Sequence, residues 1–334
     1  MCNSMFKALV LKKAEKAQNT LSIEDLSIDD LPKEEVLIKV EYSTLNYKDS
    51  LAVTNKLPIV KNYPMVPGID LAGIVKKSSN KNFFIGDKVL FNGNGLGEIT
   101  WGGMSQMACV NGDYLIKIPS MFSTKQAMTI GTAGYTAMLA VLALEKNKIT
   151  PDKGEILVTG ATGGVGSVSL MILNRLGYNV CAATGKTENV EYLKSLGAKR
   201  VIDRNVLSKE CKPLEKEIWS GVIDTVGSKI LANACASVKY GGTLVLCGLA
   251  QGFDFSTTVM PFILRGINLC GIDSVYCPLK LRQQAWERLG ENIDLEKLGS
   301  ISSLITLNEV LDFAKKMLAG STKGRIVIDV NKKF

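Results

Sequence analysis

The sequence predicts an α/β chain of two domains, a β-rich unit followed by a doubly wound parallel sheet. Three observations carry this. The first third consists of short strand-like runs separated by Gly, Pro and Asn. After Pro151, strands and helices alternate at the spacing of βαβ units. Within that stretch, residues 155–166 run from an apolar strand into Gly160, Gly163, Gly164 and Gly166, and an apolar helix follows. With 334 residues, 46% of them apolar, the chain is long enough to fill two cores.

Residues 7–11 read as an edge strand. Residues 35–42 (EVLIKVEY) alternate apolar and polar side chains, as a half-buried strand does. Residues 73–77 and 88–91 continue the pattern around a Gly86-Asp87 turn, and 106–110 and 114–117 add two short strands. Residues 1–122 are therefore expected to form an all-β unit with irregular loops. Residues 124–144 then show helical apolar spacing, broken near 131–134. Strands are expected at 155–159, 179–184, 200–203, 221–225, 243–248 and 268–273. Helices are expected up to Leu176 and over 188–196, which places the parallel sheet in residues 123–275. Residues 279–289 and 307–318 look helical, and 325–330 (RIVIDV) form a last strand. A strand so far downstream is expected to return to the first domain, so residues 276–334 are assigned there.

Composition narrows the chemistry. The chain has no histidine, which removes the commonest general base, the commonest zinc ligand and the Ser-His-Asp triad. Eight cysteines are scattered with no Cys-x-x-Cys pair, and free thiols in a reducing compartment are expected. The longest apolar runs, such as residues 137–144, fall short of the roughly 20 residues that span a bilayer. The N-terminus lacks the look of a secretory signal, so a cytoplasmic protein without membrane partners is expected. The net charge of +8 is spread along the chain. It favours anionic ligands such as phosphates and coenzyme A. Nothing in the pattern demands nucleic acid, and no such partner is expected.

The glycine-rich segment is the sharpest local feature. Ala161, Thr162, Gly163, Gly164, Val165 and Gly166 occupy the Gly-x-Gly-x-x-Gly register with alanine first. A dinucleotide needs this: a tight turn, close backbone approach to a pyrophosphate, and a helix N-terminus offering free N–H groups. The second strand then bears on the choice of nucleotide. An NAD site carries Asp or Glu at that strand's end, whereas here it ends Ala183-Thr184-Gly185-Lys186. Lys186 can pair with a 2′-phosphate, Thr184 can donate to it, and Arg204 can add a second cation. NADPH is the expected cofactor. The alternative is that Lys186 and Arg204 are solvated loop charges.

At this point the chain resembles the medium-chain dehydrogenase/reductase superfamily over essentially its whole length, and within it the acrylyl-CoA reductase branch of the quinone-oxidoreductase-like enzymes. The resemblance rests on residues 43–49 (STLNYKD), 64–73 (PMVPGIDLAG), 101–103 (WGG), 130–138 (IGTAGYTAM) and 159–167 (TGATGGVGS). Residues 191–198 (EYLKSLGA), 223–227 (IDTVG), 259–265 (VMPFILR) and 271–275 (GIDSV) complete it. It implies a GroES-like catalytic domain joined to a Rossmann domain with the active site in the cleft between them. It also implies a homodimer paired through residues 268–273. Zinc-dependent members read Gly-His-Glu where this chain has Gly68, Ile69 and Asp70, and the four-cysteine zinc lobe is missing. No metal is expected.

The resemblance further implies site residues. Tyr47 is expected beside the nicotinamide. Thr162, Gly163, Gly164, Val165 and Gly166 cover the pyrophosphate, and Thr184, Gly185, Lys186 and Arg204 surround the 2′-phosphate. Leu249, Ile263, Ser274 and Gly320 line the rest of the groove. Arginine is expected in this branch where Lys186 stands, so the charge is kept and the fork lost.

The reaction implied is hydride transfer from NADPH to the β-carbon of an α,β-unsaturated acyl-CoA, acrylyl-CoA going to propionyl-CoA. Tyr47 and Asn46 are the candidate donors to the developing enolate. A core or stacking role for Tyr47 is the alternative. Arg325 reads either as a contact for a coenzyme A phosphate or as a strand-edge charge. The rival substrates are quinones and general enones. The rival of another class is a non-catalytic NADPH-binding sensor or RNA-binding protein.

Overall fold

Alternation and turn residues lay down the first elements in the computed structural model, which describes residues 5–13 and 19–332. Strands β1 (Met5–Lys12) and β2 (Thr20–Ser27) pair antiparallel. The two-residue period puts Phe6, Ala8 and Val10 on one face, packed with Leu31 and Val66. Next come β3 (Val36–Thr44), the short helix α1 (Tyr47–Val53), β4 (Asp70–Ser78) and β5 (Lys88–Asn92). Gly86, with φ 94°, turns β4 into β5 as its neighbour Asp87 accepts from the Phe84 N–H at 2.9 Å. β6 (Met107–Val110) and β7 (Ile116–Lys117) follow. Two elements were not expected here, β2 and α1.

Helix α2 (Thr124–Lys146) carries its break at Gly131, whose φ of 50° and ψ of −161° leave the helical region. This helix is long and apolar enough to cross a membrane, beyond what the short apolar runs in the sequence suggested. Its most apolar window is 83% buried within the protein, which is the environment of a core helix. The alternating part then runs β8 (Glu155–Val158), α3 (Gly164–Arg175), β9 (Asn179–Thr184), α4 (Val190–Ser195) and β10 (Arg200–Asp203). It continues with β11 (Trp219–Asp224), α5 (Ser228–Ala236), β12 (Val238–Leu246), α6 (Met260–Arg265) and β13 (Asn268–Gly271). The tail comprises α7 (Leu279–Asn292), α8 (Leu295–Ser300), β14 (Ser302–Ile305), α9 (Val310–Leu318) and β15 (Arg325–Asp329).

The chain divides into two units. One holds the chain as far as Thr132, Val275–Gln283 and the chain from Leu298 onwards. Its main sheet has the order β14-β15-β3-β4-β5-β7, with β6 also paired to β3. β15 lies antiparallel to β3, so the last strand does return to the first unit. The other unit holds Ala133–Ser274 and Gln284–Lys297. Its six-stranded sheet, β10-β9-β8-β11-β12-β13, is parallel throughout, the doubly wound order expected.

The division falls after Thr132 rather than after residue 122, because the change of rhythm at 123 marks only where α2 begins. The first half of α2 is tied to the first unit, where Arg325 Nε donates to the Thr129 carbonyl at 2.9 Å. The middle of the tail likewise stays with the second unit, where Arg288 pairs with Glu145 at 2.9 Å. Cys2, read as a free thiol, lies outside the described residues.

Candidate active site

In the first unit a buried polar network surrounds the start of α1. Asn46 is the N-cap and Tyr47 the first helical residue, 39% exposed. Asp49, at the third helical position, accepts from the Asn46 backbone N–H at 2.8 Å and from the Ile69 N–H at 2.9 Å. The first of these satisfies a helix-terminal donor, the reason Asp favours that position. Lys48 pairs with Glu98 at 2.8 Å. Ser50 donates to the Met317 sulfur of α9 at 3.3 Å, fixing the helix from its other side.

Asp70 is the hub. Its side chain is fully buried and accepts five hydrogen bonds: from the Thr44 hydroxyl, the Asn46 amide, the Asn92 amide, and both the N–H and hydroxyl of Thr132. Arg325, only 3% exposed, donates to the Asn46 Oδ1 at 3.2 Å. Gly131 lies between charges, since a Cβ there would stand 2.6 Å from Arg325 Nη2 and 2.9 Å from Asp70 Oδ2. Arg325 is therefore neither a strand-edge charge nor open to a coenzyme A phosphate. Burial lowers its pKa while the Asp70 and Asp49 charges oppose that.

The same geometry corrects the role of Asn46. Its amide nitrogen is used inside the network, at 2.7 Å from Thr44 Oγ1, 2.8 Å from Asp70 Oδ2 and 3.2 Å from Asp49 Oδ2. Asn46 thus has no donor left for an enolate oxygen. It caps the helix that begins at Tyr47 instead.

Burial, helped by the nearby Asp70 charge, pushes Asp49 up to about 7 against the pull of the N–H groups it accepts from. The folded chain then keeps this proton up to about pH 7, whereas an unfolded carboxyl releases it near ~3.9. Its contribution to stability therefore falls as pH rises from about 4 to 7 and is level above that. The melting temperature of wild type minus that of Asp49→Asn is expected to fall by a few degrees between pH 5 and 8 in thermal unfolding scans. Parallel profiles would sink this.

In the second unit, the predicted nucleotide residues gather at the carboxyl ends of the parallel strands. Gly160 turns with φ 57° and α3 starts at Gly164 with Gly163 as N-cap, so its first N–H groups are open to a ligand. Gly166 packs the helix onto the strand, since a Cβ there would stand 2.5 Å from the Gly160 carbonyl oxygen. Thr162 is buried within the loop. At the end of β9 the Lys186 N–H donates to the Thr184 hydroxyl oxygen at 3.0 Å. The Arg204 side chain lies across Gly185, where any Cβ would collide with it. Lys186, Thr184 and Arg204 are thus brought together. Leu249 follows β12 and is 54% exposed, Ile263 on α6 is 72% exposed, and Ser274 follows β13. Gly320, with φ 70°, follows α9 in the first unit.

The sequence reading assigned no part in the site to Asp49, Thr44, Asn92 or Thr132, and Asp70 entered only where the zinc-dependent pattern is missing. Polar residues set inside apolar strands, such as Ser43-Thr44 and Asp70, were the available signal.

Two family models match the chain. The alcohol dehydrogenase GroES-like domain matches residues 32–120 and the zinc-binding dehydrogenase model residues 164–291. The acrylyl-CoA reductase AcuI of Ruegeria pomeroyi is 47% identical over 98% of this chain and 100% of its own length. A solved structure of Escherichia coli K-12 YhdH with bound NADPH is 46% identical and superposes with a TM-score of 0.94, covering 97% of this chain and 100% of that one. Bacillus subtilis YhfP, solved with NAD bound, is 42% identical with a TM-score of 0.95, covering 98% and 100%. The zinc in one model's description does not fit the residues here. The sequence has no histidine, and among the described residues no group of three or more Cys, Asp or Glu is placed to hold a metal ion. Matched from end to end and built on a GroES-like sheet and a Rossmann sheet, the chain belongs to the medium-chain dehydrogenase/reductase family, in the branch that holds the acrylyl-CoA reductases.

Proposed function

We infer that this chain is an NADPH-dependent reductase of the C=C bond of an α,β-unsaturated acyl-CoA, with acrylyl-CoA as substrate and propionyl-CoA as product. The observation that carries this is the 47% identity to an acrylyl-CoA reductase along that enzyme's full length. The residues present fit the cofactor: a glycine turn leading into a helix N-terminus, with Lys186 and Arg204 at the next strand end. When bound, NADPH supplies the hydride. Thr162, Gly163, Gly164, Val165 and Gly166 would hold its pyrophosphate, and Thr184, Gly185, Lys186 and Arg204 would hold the 2′-phosphate.

Tyr47 is the candidate donor to the thioester oxygen as enolate charge develops. Asn46, Asp49 and Asp70 fix the helix start that carries it. The α-proton then comes from Tyr47 or from solvent.

NADPH oxidation measured over a panel of enoyl-CoAs, enones and quinones tests this. The expected kcat/KM for acrylyl-CoA exceeds that for a small quinone by more than about tenfold. A faster quinone reaction would overturn the substrate assignment. The bound NAD in Bacillus subtilis YhfP makes cofactor choice a separate question. Replacing Lys186 and Arg204 together with alanine is expected to raise the KM for NADPH about 10- to 100-fold, by loss of charge-assisted hydrogen bonds, and to leave the KM for NADH unchanged. Equal effects on both nucleotides would sink the 2′-phosphate assignment.

The seven described cysteines are free thiols, which suits a cytoplasmic setting. The edge strand β13, with Leu269 43% exposed, supports a homodimer formed by pairing that edge with its copy.

A further inference from the structure

Residues 223–227 (IDTVG) are part of the family resemblance, and the reaction leaves them without a role. Asp224 ends β11 and is fully buried. The order β10-β9-β8-β11-β12-β13 reverses its direction of winding between β8 and β11. Ligands of open α/β sheets bind outside the carboxyl ends of the strands at such a reversal.

Thr159, the residue after β8, meets Asp224 across this point. Its hydroxyl donates to Asp224 Oδ1 at 2.7 Å. The Thr225 N–H donates to Thr159 Oγ1 at 3.0 Å, and the Thr225 hydroxyl donates to the Thr159 carbonyl at 3.0 Å. The other Asp224 oxygen accepts from the N–H groups of Gly227 at 2.7 Å and Val226 at 3.2 Å. Beyond the strand ladder, then, the two central strands are laced together by one carboxylate and two hydroxyls. The residue after Thr159 is Gly160, whose missing side chain leaves the space that Thr225 Oγ1 fills. The turn that opens the phosphate cradle is thereby set against Thr225, and Thr225 is set by Thr159 and Asp224.

We propose that Asp224 is a positioning residue for the dinucleotide: through Thr159 and Thr225 it holds the Gly160 turn in the register that brings the pyrophosphate to the N-terminus of α3. This rests on the reading that the chain binds NADPH. The chemistry of replacements follows from donor counts. An asparagine at 224 must aim its NH2 either at two backbone N–H groups or at the Thr159 hydroxyl, which then loses its acceptor. Valine at 159 keeps the shape and removes both hydroxyl bonds, whereas serine keeps them.

The test combines NADPH titration by fluorescence, thermal unfolding and steady-state kinetics on the full chain. Asp224→Asn and Thr159→Val are each expected to weaken NADPH binding about tenfold and to leave the KM for acrylyl-CoA near wild type. The double variant is expected to be no weaker than the weaker single within about twofold, because both remove the same link. Thr159→Ser should restore binding. Should Asp224→Asn fail to fold, the valine and serine variants at 159 decide. Variants that lose melting temperature but bind NADPH as wild type does would overturn the proposal, and so would single effects that multiply in the double variant. A wild-type chain without saturable NADPH binding would instead overturn the function reading beneath it.

Discussion

A Gly166→Val chain is expected to lose NADPH binding while α3 and the parallel sheet still form. A Cβ at this position would stand 2.5 Å from the Gly160 carbonyl oxygen, 2.6 Å from the Ala161 Cα and 2.9 Å from the Ala161 carbonyl carbon. All three are backbone atoms at the strand end, so no side chain can turn aside to make room. The helix must move off the strand, and with it the N–H groups that face the phosphates. Overpacking of this kind costs about 1–3 kcal/mol in stability. Misplacing several phosphate donors at once costs affinity as well, and each ~1.4 kcal/mol is tenfold in Kd. A loss of more than about a hundredfold in NADPH affinity follows. Gly299→Ala is the control, since a Cβ there meets nothing within 4 Å and the residue lies outside the cradle. It is expected to stay within about fivefold of wild type by fluorescence titration. Comparable binding by the valine and alanine variants would mean that the cradle is not where the nucleotide's phosphates lie.

The contrast between the two units explains what could be read from the sequence. Gly160, Gly163 and Gly166 are contiguous, and each answers to a local requirement of turn, cap or close packing. Strand, glycines and helix could therefore be placed in order from residues alone. The places of Lys186 and Arg204 were legible for a related reason, because each follows a strand end in a parallel sheet whose strands all point one way. The network of the first unit is different. Thr44, Asn46, Asp49, Asp70, Asn92, Thr132 and Arg325 come from six separate elements or loops, and only the sheet and the α2 break bring them together. Asp70 was read as part of a missing zinc pattern, and Arg325 as either a coenzyme A phosphate contact or a strand-edge charge. Helix α1 escaped notice because seven residues show too little apolar period. It is set instead by Asn46 and Asp49 at its cap. The division after Thr132 was missed on similar grounds, since a helix running through a domain boundary gives the sequence no punctuation there.

Replacing Asp70 with alanine is expected to be the most destabilising single change in the first unit, about 3–5 kcal/mol by denaturant unfolding. Five hydrogen bonds lose their acceptor at once, with the Asn46 amide keeping other acceptors in Thr44 and Asp49, and the buried Arg325 loses the charge that offsets its burial. Buried unpaired donors each cost about 1–3 kcal/mol when water cannot reach them, though relaxation lets neighbours share the loss. The same physics predicts a partial rescue. Arg325→Met removes the buried cation and keeps an apolar chain of similar reach, so Asp70→Ala with Arg325→Met should lose less stability than the two single losses added together. A second readout separates stability from positioning. Asn46 would lose both its Asp70 acceptor and its Arg325 donor in the double variant, so the start of α1 should loosen and kcat should fall even where folding is rescued. If stability and kcat return together, the charges serve only the core. If the single losses simply add, Asp70 and Arg325 do not act as one unit.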